Sequence, residues 1–546
     1  MSRGERLGRL SAEVFDVLVV GAGITGAGVA RDAALRGLRV ALIDASDYGS
    51  GTSSRSSRLV HGGLRYLEGF EFGLVFEALR ERARHQKLHP NLVWPIEFVV
   101  PVYKTGKHSL FKMDFGLWIY DLLSVGRTAK WHRRLRPAAV RELVPGLLEE
   151  GLVGGIAYHD CKTDDARLTL ANVMDAERAG AAVTNYVSLD ALELSDTGVT
   201  GARLSDRLTG EEIRVSCRHV VYAAGPWTDR LPEAPGGGSL MRPTKGVHLV
   251  VDHAQLPVQS AAVLSAPTDG RVVFVVPDGP TVYVGTTDTD YAGDPTDVRA
   301  TAEDISYLLQ TLATYFPEAE IAADDVQGTW AGVRPLIASD EASAYATSRE
   351  HEVYEDPRGI TTVAGGKLTT YRSMAEEVVD VVVRAQPQDV RASCKRCVTH
   401  VLPMDPSIGP EPSQDTEEDA VDHHRWRLFG GGAAWIAQRC ESHPDETERL
   451  SPGLKYVMAE VSYAVLHEHA TRLDDVLMRR LHVFTDAADQ GAGCAQRVAQ
   501  HMGRLLHKPS DWVAAEVERY AALADRSTLG AKALGGSGLS EGVGAS

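Results

Sequence analysis

The stretch Val14 to Asp44, VFDVLVVGAGITGAGVARDAALRGLRVALID, decides the fold. Phe15 to Val20 is a β-branched apolar run that stops abruptly at Gly21-Ala22-Gly23-Ile24-Thr25-Gly26. Ala30, Ala33, Ala34 and Leu35 then keep a helical spacing up to Gly37, and a second apolar strand, Val40 to Ile43, closes on Asp44. The glycines carry the chemistry. Gly21 permits a tight turn, Gly23 lets the backbone approach a pyrophosphate, Gly26 allows close helix–strand packing, and the helix N-terminus faces the phosphates. Asp44 is placed to accept hydrogen bonds from a ribose diol. A strand, this turn, a helix and a closing acid together predict a dinucleotide site made of Gly21, Ala22, Gly23, Ile24, Thr25, Gly26 and Asp44. The plainer alternative is a glycine turn that only packs a βαβ unit. The unit does not separate NAD from FAD, which share an adenosine pyrophosphate.

Working outward, the chain has 546 residues, of which 44% are hydrophobic, enough for more than one domain with a sizeable core. Its 57 basic residues against 74 acidic ones give a formal net charge of -17. That balance argues against nucleic-acid binding and means that an anionic substrate needs a local basic cluster. The opening MSRGERLGRL lacks the apolar core of a secretory signal, and no run of about 18 apolar residues suggests a membrane span. A cytoplasmic protein is the expectation. Cys394 and Cys397 form a lone CxxC with no second pair, so no metal site is expected.

Behind Asp44, the segment YGSGTSSRSSRLVHGGLRYLE, Tyr48 to Glu68, supplies Ser53, Ser54 and Ser57 with the pair Gly62-Gly63. Small side chains, hydroxyls and backbone amides suit the inner end of a dinucleotide. His61, Arg65 and Tyr66 lie among them. A lone histidine is ordinarily structural, but the adjoining glycine pair and Arg-Tyr turn the reading of His61 towards function.

The run SSRLVHGGLRYLE, followed by FEFGLVFEALRER, resembles the FAD-dependent glycerol-3-phosphate dehydrogenases. YHDCKTDDARLTLAN from Tyr158, VYAAGPWTD from Val221, KGVHLVV from Lys245, VGTTDTDYAGDP from Val284, TWAGVRPL from Thr329 and AGGKLTTYR from Ala364 extend the likeness, in family order, over most of residues 14 to 385. The resemblance implies oxidation of sn-glycerol 3-phosphate to dihydroxyacetone phosphate, with hydride passing from C2 to FAD and electrons leaving to a membrane quinone. It implies FAD as cofactor, with Val187 passing the adenine, Ala224, Gly225 and Trp227 forming a second contact, and Gly366, Lys367, Leu368 and Thr369 opening a helix towards the flavin. His61, Gly62 and Gly63 join that cofactor set.

The substrate phosphate needs charge-assisted donors. By motif these are Arg65, Arg334, Arg349 and Lys367, with Tyr66 and Thr287 as hydroxyl donors. His61, with an unperturbed pKa of about 6.5, is the expected general base, and Lys367 is the alternative. His61, Arg334 and Lys367 are therefore the expected catalytic residues. Two rival readings share much of this pattern: a glycerol-3-phosphate oxidase using oxygen, and a non-catalytic FAD-binding subunit.

The expected fold is α/β: a Rossmann-type FAD-binding domain with an inserted antiparallel-sheet substrate domain and a helical C-terminal domain. The FAD-binding domain is discontinuous, over 14–80, 151–235 and 350–385, and the substrate domain covers 88–150 and 240–349. Residues 386–415 read as a linker, 416–525 as the helical domain and 526–546 as a disordered tail. Leu88 to Tyr103 reads as strands broken by prolines, and Asp164 or Asp165 as a helix cap. Phe111, Phe115, Trp118 and Leu122 share one helical face, which is either core or a membrane-surface patch. Lys130, Arg133, Arg134, Arg136 and Arg141 follow it, as an anionic lipid surface would require. The expectation is peripheral attachment to the inner face of the cell membrane, with a homodimer left open as the assembly.

Overall fold

In a computed structural model, residues 1–63, 71–105, 109–124, 130–235, 240–338 and 350–536 are described. The βαβ unit nucleates a six-stranded sheet ordered His351–Asp356, Ile360–Gly365, Val220–Tyr222, Val17–Val20, Val40–Ile43, Ala182–Thr184. All pairs but the first are parallel, with Val17 opposite Val40 and Val220 opposite Leu18. Such strands are buried on both faces, which is why they read as unbroken valine, leucine and isoleucine. Helix Ile24–Leu35 packs between helices Asp165–Arg178 and Tyr371–Ala385 over this sheet. Asp164 caps the second of them by accepting the Arg167 N–H at 2.9 Å, whereas Asp165 accepts the Ser56 N–H.

A ten-stranded sheet stands beside it. It is antiparallel except where Ala261–Ser265 runs parallel to Val93–Tyr103. Three sequence boundaries move. Leu152–Thr163, grouped above with the nucleotide domain, is a central strand of this large sheet, and Leu59–Val60 forms its edge. Val93–Tyr103 is one continuous strand despite Pro95 and Pro101, because its second neighbour contacts it only at Phe98 and Val99. Each proline thus lies where only the Leu152–Thr163 side is paired.

The C-terminal region is helical, with Glu417–Phe429, Ala433–Ser442, Met458–His467, Ala492–Leu505 and Ser510–Gly536. The last helix takes in residues 526–536, which composition assigned to a disordered tail; Ala531 is buried against the large sheet's core. The segment 386–415 is a strap rather than a loose linker. It forms a short helix, Gln388–Ser393, and its Leu402 and Met404 carbonyls accept hydrogen bonds from Arg31 at 2.8 Å and Arg178 at 2.6 Å. Buried ion pairs dock the helical domain on the nucleotide domain: Asp47 with Arg479 and Arg480, and Arg167 with Glu468.

Helix Leu110–Leu123 settles the choice between core and surface for its aromatic stripe. Phe111, Phe115, Trp118 and Leu122 are 75%, 60%, 54% and 67% exposed, and nearby Trp131 is 57% exposed. Of the basic residues behind it, Arg133, Arg134 and Arg141 pair with Glu97, Asp114 and Glu149. Among the described residues no helix is long and apolar enough to cross a membrane.

Candidate active site

A cavity of about 2050 Å³ lies between the nucleotide sheet, the large sheet and the C-terminal helices. Its first wall is the glycine turn. Gly21 has φ +100°, and a Cβ there would lie 2.6 Å from the Ala223 carbonyl oxygen. Gly23 caps helix Ile24–Leu35 without a side-chain hydrogen bond, and Ser53 Oγ accepts the Ile24 N–H at 2.9 Å. Gly21, Gly23, Ile24, Thr25, Ser53, Ser54 and Ser57 all line the cavity. Ala22 and Gly26 do not. Ala22 donates its N–H to Asp44 at 2.7 Å and so orients the acid. A Cβ on Gly26 would run into the Gly21 carbonyl, so this glycine serves helix–strand packing. Asp44 also accepts the Ser46 N–H at 2.8 Å, and burial, with Asp47 close by, raises its carboxyl pKa to about 6 against the pull of these two N–H donors. Val187, Ala224, Gly225 and Trp227 continue the wall, with the Trp227 indole N–H fixed on Thr296 at 3.1 Å.

The far wall brings His61 to the 366–369 turn. Gly365 and Gly366 (φ +73° and +86°) reverse the chain after strand Ile360–Gly365, so that Gly366, Lys367, Leu368 and Thr369 face the cavity. The His61 N–H donates to Thr369 Oγ1 at 3.1 Å, and the same hydroxyl lies 3.3 Å from the His61 carbonyl. His61 and Gly63 line the cavity; Gly62 turns away from it, against Tyr120 and Leu79. Arg334, on strand Gly328–Ile337, reaches the same space with its side chain 22% exposed. Its guanidinium donates to Asp288 at 2.7 Å, the Thr286 hydroxyl at 3.1 Å and the Thr287 carbonyl at 3.3 Å. Gly246 makes room for it: a Cβ there would lie 2.7 Å from Arg334 Nη2. Thr287 is buried and is not among the cavity-lining residues; its carbonyl accepts from Arg334 and its hydroxyl accepts the Val247 N–H at 3.1 Å. Arg65, Tyr66 and Arg349 lie outside the described residues.

Residues 16–372 match the model of the FAD dependent oxidoreductase family, and 405–512 match the C-terminal domain of alpha-glycerophosphate oxidase. Aerobic glycerol-3-phosphate dehydrogenases of Staphylococcus haemolyticus and Staphylococcus saprophyticus are 39% and 34% identical to the chain over 512 and 511 residues. Each alignment covers 91% of this chain and 92% of the relative. The chain belongs to the FAD-dependent glycerol-3-phosphate dehydrogenase family. The solved structure of the glycerol-3-phosphate dehydrogenase from Bacillus halodurans complexed with FAD matches it with a TM-score of 0.79 at 28% identity, covering 97% of this chain and 98% of that one.

FAD, the cofactor of this family, fits the wall on the chain's own geometry. A helix N-terminus whose cap residue, Gly23, has no side chain and whose neighbour is the Ser53 hydroxyl suits a pyrophosphate, and the bare Gly21 and Gly23 both face the cavity. The same cavity is also lined by His248 and Arg58, which no sequence motif singled out. His248 is buried, its Nε2 lies 2.9 Å from Ser57 Oγ, and its ring stacks on Trp330 at 4.8 Å. Burial beside Arg334 and Arg58 pushes its pKa well below the usual histidine value, so it is neutral, with one donor and one acceptor nitrogen. A signal for it existed. In the strand KGVHLVV, two-residue alternation puts His248 on the face of Gly246, and both line the cavity. Arg58 left no such signal; its φ of +54° turns its guanidinium over Trp330, where it pairs with Asp278 at 2.9 Å.

Proposed function

We propose that this protein oxidises sn-glycerol 3-phosphate to dihydroxyacetone phosphate and passes the electrons to a membrane quinone. One observation carries the reading: a single cavity joins the dinucleotide wall to Arg334, Lys367, His61 and His248, in a chain whose net charge of -17 otherwise repels a dianion. Gly21, Gly23 and Asp44 would hold FAD, which would supply the acceptor for the C2 hydride. Arg334, braced by Asp288, holds the phosphate through its planar fork. His61 takes the C2 hydroxyl proton, Lys367 attracts the oxygen as it becomes a carbonyl, and neutral His248, hydrogen-bonded to Ser57, shapes the same cavity.

The quinone reading is supported by the exposed face of helix Leu110–Leu123, because Phe115, Gly116 and Ile119 of this helix also line the cavity. An apolar helix face that dips into the inner leaflet would thus open the site towards a lipid-dissolved acceptor. The test supplies the purified FAD-loaded protein with glycerol 3-phosphate and a short-chain quinone under argon, and separately in air without quinone. Dihydroxyacetone phosphate and quinol in equal amounts support the proposal. Rapid peroxide formation in air with no quinone turnover would make the protein an oxidase, and no product under either condition would overturn the reading.

A further inference from the structure

The exposed helix Leu110–Leu123 is tied to the catalytic turn from its inner side. Tyr120, 1% exposed, directs its hydroxyl at Asp160, 2.9 and 2.8 Å from the two carboxylate oxygens. The Gly62 N–H donates to that same tyrosine oxygen at 3.0 Å and lies 3.3 Å from Asp160 Oδ1. Arg82, 2% exposed and carried by helix Phe72–Leu88, pairs with Asp160 and donates to the His159 carbonyl at 3.3 Å. Gly62 is the next residue after His61, and a Cβ on it would strike both the Tyr120 hydroxyl and Leu79. The turn is thus clamped from two sides: Thr369 holds the His61 backbone, and Tyr120 with Asp160 holds Gly62. Three polar groups so deeply buried persist only because each satisfies another. Burial and Asp160 hold the Tyr120 hydroxyl protonated, so it remains a donor.

We propose that Tyr120, backed by Asp160 and Arg82, is a positioning residue that sets the His61–Gly62 turn against the cavity, so that the helix with the apolar outer face also fixes the catalytic histidine. This rests on the reading of His61 as the base for glycerol 3-phosphate oxidation. Tyr120 touches neither cofactor nor substrate; it acts through the Gly62 N–H. A displacement of a reacting group by about 1 Å costs on the order of 100-fold in rate, so a turn released at one of its two clamps loses about tenfold or more.

The experiment compares the FAD-loaded wild type, Tyr120→Phe and Leu117→Ala by anaerobic stopped flow with glycerol 3-phosphate. The first variant keeps the ring and removes only the hydroxyl; the second loosens the same helix at a buried apolar residue of the core cluster that Tyr120 joins, leaving the hydroxyl in place. Amide exchange of the peptide containing Gly62 is measured in parallel. The expected result is that Tyr120→Phe keeps its FAD and binds substrate within about threefold of wild type, while its limiting rate of flavin reduction falls about tenfold or more and Gly62 exchanges faster. Leu117→Ala should reduce its flavin at close to the wild-type rate. A Tyr120→Phe rate equal to wild type, or equal losses in both variants, would overturn the proposal. A wild type that glycerol 3-phosphate does not reduce would instead overturn the functional reading beneath it.

Discussion

Replacing Arg334 by alanine removes the cation that the phosphate reading needs most, and the structure gives the size of the loss two separate parts. A charge-assisted hydrogen bond to phosphate contributes about 1.5–3 kcal/mol, and truncating one member of a desolvated charge pair costs about 2–5 kcal/mol. Arg334 is still 22% exposed, so the lower two-thirds of that range applies. The expectation is a loss of about 2–4 kcal/mol in kcat/KM for glycerol 3-phosphate, or about 30- to 1000-fold. The second part is stability. Asp288, 5% exposed, would lose its partner at 2.7 Å and stay buried as a charge. The double variant Arg334→Ala, Asp288→Asn should therefore recover thermal stability without recovering phosphate recognition. Lysine at 334 restores charge but not the fork, and should recover only part of the rate. The assay is the ratio of kcat/KM for glycerol 3-phosphate to that for glycerol, which carries no phosphate. The ratio should collapse in the alanine variant while FAD content stays normal. An unchanged ratio would refute the reasoning and leave Arg334 as a brace for the strand pair it joins.

Three further outcomes follow from the site. His61→Ala should bind FAD and substrate yet reduce the flavin about 10²- to 10⁴-fold more slowly, and a wild-type rate in stopped flow would remove it from the mechanism. Phe115→Ser, Trp118→Ser should keep its flavin and lose flotation with anionic liposomes; equal recovery of variant and wild type would place attachment elsewhere. Since Arg133, Arg134 and Arg141 are already paired with acids, wild-type flotation should be only weakly sensitive to salt. Asp44 carries a pH dependence whose sign is fixed by linkage: its carboxyl stands at about 6 without a ribose diol, and diol donors favour the charged form, so FAD affinity should fall as pH drops through about 6. Fluorescence titration of FAD should show that fall in wild type and a flat profile in Asp44→Asn, and a fall in both would assign the titration to another group.

The parts of the fold that were plain in the sequence are those written in short-range patterning. The run Phe15 to Asp44 holds strand, turn and helix in consecutive residues, and Gly21 needs its positive φ for reasons internal to the turn. The same holds for Asp164 as a cap. What the sequence hid depends on partners far along the chain. Leu152–Thr163 looks like any apolar strand until its register against Val93–Tyr103 assigns it to the large sheet. The stripe Phe111, Phe115, Trp118, Leu122 has the spacing of a core face, and only the placement of Leu117 and Tyr120 on the opposite side shows which face is buried. Glycines divide in the same way: Gly23 faces the cavity, whereas Gly26 and Gly62 are small because Gly21, Tyr120 and Leu79 leave no room. Residues 526–536 are rich in small side chains, yet alanine favours helix and Ala531 meets a core surface, so the segment stays ordered. His248 was within reach, since alternation along its strand turned it towards the site.

The central claim is that FAD and a glycerol 3-phosphate site share one cavity. The most direct measurement is anaerobic addition of glycerol 3-phosphate to the purified FAD-loaded protein, followed by the flavin absorbance and assay of the product. The account predicts that the flavin bleaches fully, with one dihydroxyacetone phosphate formed per FAD, and that glycerol at the same concentration leaves it yellow on that timescale. A flavin that stays oxidised with glycerol 3-phosphate, or bleaches equally fast with glycerol, would contradict it.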